Sequence, residues 1–274
     1  MKTVNFPKFR MIFILTASLF FIHCEKVANF VFSDKDDVKM GANFDKEIRS
    51  NKAQYKVLEN EQIRSYVQSI VKELLKSKAI SKKKVFPYRV TVLDGDDTVN
   101  AFCTPGGYIY VYTGLLKFLE NEASLAAVLA HEIAHAERRH ARQRMLSQMG
   151  VQLIVMAILG STDNVLLEAG ARIAGNLSVL HNSRGDEMEA DESAFEYLGA
   201  TKYYRGGMSF FFDKISRERK GSKFGKKLEG LFSTHPIPED RLRKNEERIE
   251  KADISPPSEK NLFTDRYEKA VGTL

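Results

Sequence analysis

The spacing of apolar and polar residues divides this chain into recognisable elements. Glu59 to Lys78 reads as an amphipathic helix and Val85 to Leu93 as a strand. Tyr108-Ile109-Tyr110-Val111-Tyr112 is aromatic and β-branched with alternation, follows a Pro105-Gly106-Gly107 turn and precedes a break at Gly114. That pattern predicts a strand, here expected at a sheet edge. Leu125 to Ala130, continued by Ala134 and Ala136, is small and aliphatic with no Pro or Gly, which predicts a buried helix. Asn121 is its expected N-cap and Glu122 a favourable first-turn charge, while Glu137 to Arg144 are expected to form a charged, solvated end. Ser183 to Asp191 opens a second helix running through Leu198, with Gly199 as its stop. Met149 to Leu159 and Val165 to Ala174 are strongly apolar, but Gly150, Gly160, Asp163 and Asn164 cut them into runs too short to span a bilayer. They suit a buried helical pair or a surface seated against a membrane. Ser255-Pro256-Pro257-Ser258 marks a domain end. The resulting expectation is one mainly helical α+β domain over residues 51–252, with a polar lead segment over 24–50, a flexible tail over 253–274, and no internal repeats.

The first residues change the picture by adding a compartment. Lys2, Lys8 and Arg10 precede the apolar stretch Met11 to Ile22, which has the length of a signal h-region, so residues 1–23 read as an export signal. Cys24 follows His23, and the start of the chain resembles a lipoprotein precursor lipidated at Cys24; the bulky Phe21-Ile22-His23 depart from the small residue usual before the cysteine. An ordinary signal peptide or an uncleaved anchor are the other readings. With Cys24 lipidated, Cys103 has no partner and no structural disulfide is expected; Cys103 reads as a small buried thiol. The chain carries a formal charge of +6, and residues 1–23 hold three basic and no acidic side chains, so removing them leaves +3. That balance implies no particular partner. Lys82 to Lys84 and Lys223 to Lys227 are solvated loops, because no nucleic-acid module accompanies them.

The candidate chemistry lies in His131-Glu132-Ile133-Ala134-His135. Residues four apart on a helix stand one above the other, so His131 and His135 can reach one metal ion while Glu132 flanks it as a general base. A pair of core histidines hydrogen-bonded to backbone is the bland alternative. A catalytic zinc needs a third protein ligand. The spacing that would place a third histidine six residues past His135 meets Ala141 instead, and an eighteen-residue spacer to a glutamate meets Ile154. On a continuous helix His140 points away from both histidines and reads as a surface residue among Arg138, Arg139 and Arg142. Glu187 and Asp191, four apart on the second helix, are better placed: Glu187 can ligate, and Asp191 can accept a hydrogen bond from a ligand histidine. An acidic helix start favoured by the macrodipole explains the same residues without a metal.

Four blocks in this order resemble the zinc metallopeptidase family that includes the heat-shock membrane protease HtpX, the CAAX prenyl proteases and periplasmic BepA-like and LoiP-like proteases. They are Asn100-Ala101-Phe102 through Thr113-Gly114-Leu115-Leu116, His131 to His135, Ser183-Arg184 to Asp191, and Ser233-Thr234-His235-Pro236 through Asp240-Arg241. The resemblance covers roughly residues 55 to 250. It implies a zincin-type domain of the gluzincin group, with one zinc per chain held by His131, His135 and Glu187, Glu132 as base, and substrate received on the strand before the metal helix. It also implies that His235 acts as a gate or an oxyanion helper and that Arg241 lies near the cleft. A loop histidine with no metal contact is the other reading of His235. Tyr203 and Tyr204 are further candidates for transition-state stabilisation.

The expected activity is therefore a zinc endopeptidase of the bacterial cell envelope, anchored through a lipid and facing the periplasm from the outer membrane. Its expected substrates are unfolded or misassembled envelope proteins, since an exposed strand edge binds an extended chain with little regard to sequence. The rival is a chaperone-like or scaffold lipoprotein whose zinc site is gated and little used.

Overall fold

The computed structural model describes residues 32–149, 181–218, 225–236 and 240–274. Its strands form where the sequence alternates: β1 (Arg89–Leu93), β2 (Ala101–Thr104) and β3 (Tyr108–Tyr112) make one mixed sheet in the order β1-β3-β2. β2 and β3 are an antiparallel hairpin, Ala101 opposite Val111 and Thr104 opposite Tyr108. Gly106 and Gly107 close it at φ of 78° and 79°, a region that residues with a Cβ rarely enter. β1 runs parallel along the other flank of β3, from Arg89 beside Tyr108 to Leu93 beside Tyr112. β3 is thus paired on both sides, and the expectation of an edge strand before the metal helix is corrected: the edges are β1 and β2. The alternation in Tyr108–Tyr112 reports which faces are covered; pairing along the flanks leaves no mark in it.

Around the sheet stand α1 (Asp34–Ser50), α2 (Glu61–Leu74), α3 (Thr113–Phe118), α4 (Glu122–Arg138), α5 (His140–Met149) and α6 (Arg184–Leu198). They are followed by α7 (Gly207–Glu218), α8 (Gly225–Thr234), α9 (Asp240–Ala252), α10 (Glu259–Leu262) and α11 (Thr264–Val271). The fold is α+β, mainly helical with a small mixed sheet. α4 forms its axis, packing against α2, α6, α7 and β2. Asn121 caps it, Oδ1 accepting from the Ser124 amide at 2.9 Å, and every residue from Glu122 to Glu137 is buried. Its alanines let neighbours approach closely: a Cβ on Gly207, at the start of α7, would fall 2.4 Å from the Ala123 carbonyl oxygen. Packing on all sides fixes the rotation of α4 and hence the direction of each polar side chain on it.

Three stretches expected to be polar or loose are built into the core. From Asp34 the lead segment is α1, capped reciprocally by Ser33 and Asp36, and its Met40, Phe44 and Ile48 form a buried stripe one turn apart. Phe44 meets Phe102 and Tyr110 edge-on. The expected tail holds α10 and α11: Tyr267 is buried and donates to the Leu116 carbonyl, and Arg266 pairs with Glu122. Glu122 also accepts from Tyr66 (2.9 Å) and Tyr203 (2.7 Å), so it is a buried anchor for the C-terminus more than a first-turn charge. With its hydroxyl committed there, Tyr203 is no candidate for transition-state stabilisation, and Tyr204 packs against Phe210. Finally, the charged end of α4 turns inward. Arg139 takes a left-handed conformation at φ 60°, α4 ends, and α5 begins at His140. Glu137 accepts from the Ser81 amide (3.0 Å), Ser81 Oγ (2.7 Å), the Lys82 amide (2.9 Å) and Tyr88 Oη.

Arg142, 1% exposed, donates to the Phe32 carbonyl at 3.0 Å and to Asp37 at 3.3 Å, joining α5 to α1. Burial dominates at Asp37, outweighs the attraction of Arg142 and Arg139, and pushes its carboxyl up to about 6. The folded chain therefore binds this proton more tightly than the unfolded one. The stability it contributes is full below about pH 4 and is lost as pH rises through about 6. Relative to Asp37→Asn, which does not titrate, the parent should lose up to about 3 kcal/mol between pH 4 and pH 7. Denaturant titrations of both chains across that range measure it, and parallel pH curves would refute it.

Residues 1–23, Cys24, the Val165 to Ala174 run and all but the first residue of the Met149 to Leu159 run lie outside the described residues. Among the described residues no helix is long and apolar enough to cross a membrane.

Candidate metal centre

His131 and His135, one turn apart on α4, bring their Nε2 atoms to 2.9 Å. The third donor comes from α6, whose start is set by Ser183: its side chain accepts from the Asp186 amide while Asp186 accepts from the Ser183 amide. This places Glu187, fully buried, in the first turn facing α4. Its Oε2 is 3.3 Å from His131 Nε2 and its Oε1 3.2 Å from His135 Nε2. Donors bound tetrahedrally at the usual zinc distances lie about 3.3 Å from one another, so this triangle fits a small divalent metal.

The atoms behind the donors agree. His131 Nδ1 stands 3.0 Å from Asp191 Oδ1, and His135 Nδ1 2.7 Å from His140 Nδ1. With the Nδ1 atoms turned toward Asp191 and His140, both Nε2 atoms and the Glu187 carboxylate converge on one point, an arrangement that suits a bound cation. The charge balance points the same way. Burial would lower His131, but Glu187 and Asp191 outweigh it and pull it up to about 9. Burial would raise Glu187, yet His235, His131 and Arg241 hold it well below the usual carboxylate range. Burial and the neighbouring His131 push His135 well below its ordinary value.

Glu132, 2% exposed, points to the other side of the pair, and burial raises its pKa against the pull of His235 and His131. It borders two small cavities. One has an apolar wall of Ala101, Leu115, Val128, Met208, Phe211 and Leu231; the other adjoins Phe102, Cys103, Asn182 and Thr234. β2, not β3, is thus the strand beside the centre. Cys103 is buried there, its thiol raised well above its ordinary value by burial.

His235 completes the group. α8 ends at Thr234, the His235 amide still donates to the Leu231 carbonyl at 2.7 Å, and its Nδ1 comes to 3.0 Å from Glu187 Oε1. Its Nε2 lies 3.5 Å from Glu132 Oε1. One donor atom each of His131, His135, Glu187 and His235 falls within 4.8 Å of the others. Arg241, from α9, forks onto Asp191 with two bonds of 2.7 Å and reaches Glu187 Oε2 at 2.6 Å. Its guanidinium borders the apolar cavity, but its hydrogen bonds go to the two carboxylates and, at 3.2 Å, to the Pro236 carbonyl, so it holds donors in place. Asp191 is lowered to about 2: burial would raise it, and Arg241 and His131 overcome that.

Two polar residues at the centre have no local signal in the sequence. Asn182 clamps the His235 corner, its backbone amide (3.1 Å) and Nδ2 (3.3 Å) both donating to the Thr234 carbonyl. His140, read from the sequence as a surface residue, is 1% exposed and lies beside His135. A helix that continued through Arg139 would have turned it away; the break at Arg139, which is neither Gly nor Asn, is invisible in composition.

Two histidines, a glutamate and a second buried glutamate on a helical α+β frame define a metal-dependent hydrolase of the zincin type. The peptidase family M48 model matches residues 61–249, and the chain belongs to this family of metalloproteases. It is 32% identical to the putative beta-barrel assembly-enhancing protease of Vibrio cholerae over 162 residues, 56% of this chain and 33% of that protein. It is 29% identical to the mitochondrial metalloendopeptidase OMA1 of Schizosaccharomyces pombe over 197 residues, 69% of this chain and 54% of that protein. With the beta-barrel assembly-enhancing protease of Escherichia coli it shares 26% identity over 217 residues, 75% of this chain and 42% of that protein. The chain thus spans about half or less of the length of these relatives.

Proposed function

We propose that this metalloprotease is a zinc endopeptidase of the bacterial cell envelope, anchored through Cys24, that cleaves unfolded or misassembled envelope proteins. The observation that carries the reading is the convergence of His131, His135 and Glu187 with Glu132 beside them. A zinc ion held by those three residues would polarise the scissile carbonyl and bring the pKa of its water toward about 7. Glu132 would take a proton from the attacking water and return it to the leaving nitrogen, and its burial-raised pKa suits a group that must take and return a proton. Asp191 and Arg241 keep the donor set from shifting as it does so.

An extended substrate would pair with the outer edge of β2, and the apolar cavity beside Glu132 would take an apolar side chain. α8 stands at the segment leading into β2: the Val99 amide donates to the Lys227 carbonyl at 2.9 Å and Asn100 Nδ2 to the Gly230 carbonyl at 3.2 Å. In this reading α8 and His235 move together to admit a chain, and His235 acts as the gate; its place beside Glu187 and Glu132 supports that role. Support for the envelope setting comes from the export signal expected at residues 1–23 and from relatives named as beta-barrel assembly-enhancing proteases.

The position of His235 against Glu187 favours one second reading, a chaperone-like protein whose centre stays closed. Metal analysis with casein cleavage separates the two. The expected result is about one zinc per chain, cleavage of casein but not of a folded protein, loss of cleavage on chelation, and recovery with added zinc. Zinc without cleavage, with cleavage appearing in His235→Ala, would establish the closed reading; absence of zinc would refute both.

A further inference from the structure

We propose that His140 is a positioning residue for the metal centre: it accepts the Nδ1 proton of His135 and thereby fixes Nε2 of His135 as the ligating atom, with Glu189 holding His140 in turn. The inference rests on the reading of His135 as a metal ligand and goes beyond it by naming what orients that ligand.

Each assignment forces the next. A neutral imidazole that ligates through Nε2 carries its proton on Nδ1, which can then only donate. The atom facing His135 Nδ1 is His140 Nδ1, at 2.7 Å, so His140 must present a lone pair there. A neutral His140 then has its proton on Nε2, and Nε2 lies 3.3 Å from Glu189 Oε2. The ring planes cross at 71° with centroids 4.9 Å apart, an edge-on meeting rather than a stack. Glu189 is half exposed and is steadied by Arg138 Nη1 at 3.1 Å, whereas the His140 side chain is buried at 2% exposure.

The two ligand histidines are held by partners of different charge. His131 leans on the carboxylate of Asp191, which Arg241 braces; His135 leans on a neutral ring. A neutral acceptor fixes direction without adding a buried negative charge to a centre that already contains Glu187, Asp191 and Glu132. The arrangement exists because Arg139 breaks the helix between His135 and His140, and Arg139 is itself paired with Asp34 on α1.

The test uses the full chain purified in detergent, with zinc affinity read by competition against a chromophoric chelator and geometry by the absorption bands of the cobalt-substituted protein. His140→Leu should weaken zinc binding about ten- to a hundredfold and shift the cobalt bands. His140→Asn, whose Oδ1 offers an acceptor at the same branch position, should stay within about threefold of the parent and restore the bands. Equal losses in the Leu and Asn variants, or no loss in either, would overturn the proposal. Should the Leu variant not fold, nitrogen NMR of histidine-labelled, zinc-loaded parent decides: a bare Nδ1 and a protonated Nε2 on His140 support the assignment, and the reverse tautomer overturns it. A parent that binds no zinc defeats the metal reading, and the His140 proposal with it. A parent that binds zinc beside variants that bind it equally well defeats the His140 proposal alone.

Discussion

Glu132→Gln should bind metal as the parent does and cleave casein at least about a hundredfold more slowly, the lower end of what a positioned general base contributes. Gln has the shape of Glu but cannot take a proton from water at any working pH. Glu132 is not among the clustered donors; His235 Nε2 lies 3.5 Å from its Oε1, and the metal triangle loses nothing when the carboxylate becomes an amide. Nor should the fold suffer. Burial disfavours the ionised form of Glu132, and a neutral amide in the same cavity removes that cost. Metal content by elemental analysis and initial rates on casein measure the two halves of the prediction. Retention of more than a tenth of the parental rate would remove Glu132 from its assigned role.

Arg241→Leu should destabilise the metal-free chain by about 3–5 kcal/mol, because removing one partner leaves buried charges without compensation. The side chain is 3% exposed and satisfies both Asp191 oxygens and one of Glu187. Without it, two carboxylates about one helical turn apart repel each other inside the protein, and Arg241, which with His131 keeps Asp191 ionised and is the larger of the two influences, is gone. Metal binding should restore part of the loss, since a cation beside Glu187 replaces some of the missing charge. Arg241→Lys should fall between parent and Leu: it keeps the charge but cannot fork across two acceptors. Urea denaturation of the three chains, with and without zinc, measures this, and a loss below about 1 kcal/mol in the Leu variant would show that Arg241 is not what balances the pair.

The two experiments address different parts of the centre. Both side chains border the apolar cavity, but Glu132 leaves its carboxylate outside the donor cluster whereas Arg241 spends its hydrogen bonds on Asp191 and Glu187. A result in which Arg241→Leu loses activity without losing stability would give Arg241 a role in the cleft, near which the family resemblance places it.

The sequence determined the features that depend on local geometry. Helical repeat alone brings His131 over His135 and Glu187 over Asp191, so both halves of the donor set are legible in spacing. Caps are equally local: Asn121 and Ser183 each accept from the amide three residues on, and both helices begin where those residues stand. The strand at Tyr108–Tyr112 and the glycine turn before it are written in the same short-range terms.

Tertiary structure decided whatever depends on which surfaces meet. That Glu187 reaches the histidines follows from α6 packing along α4, a contact between segments some fifty residues apart that no spacing encodes. That β3 lies in the middle of the sheet and β2 beside the centre follows from β1 adding in parallel on the far flank. α1 reads as polar because its buried apolar stripe of Met40, Phe44 and Ile48 is interleaved with the buried carboxylates Asp37 and Asp45, and the C-terminal helices read as a loose tail because they bury a single side chain, Tyr267. His140 joins the site only because Arg139 turns left-handed where it does, at a residue whose own chemistry favours no such turn. Local pattern determines what a segment can be, and the free energy of packing, summed over contacts distant in sequence, determines which of its faces does the work.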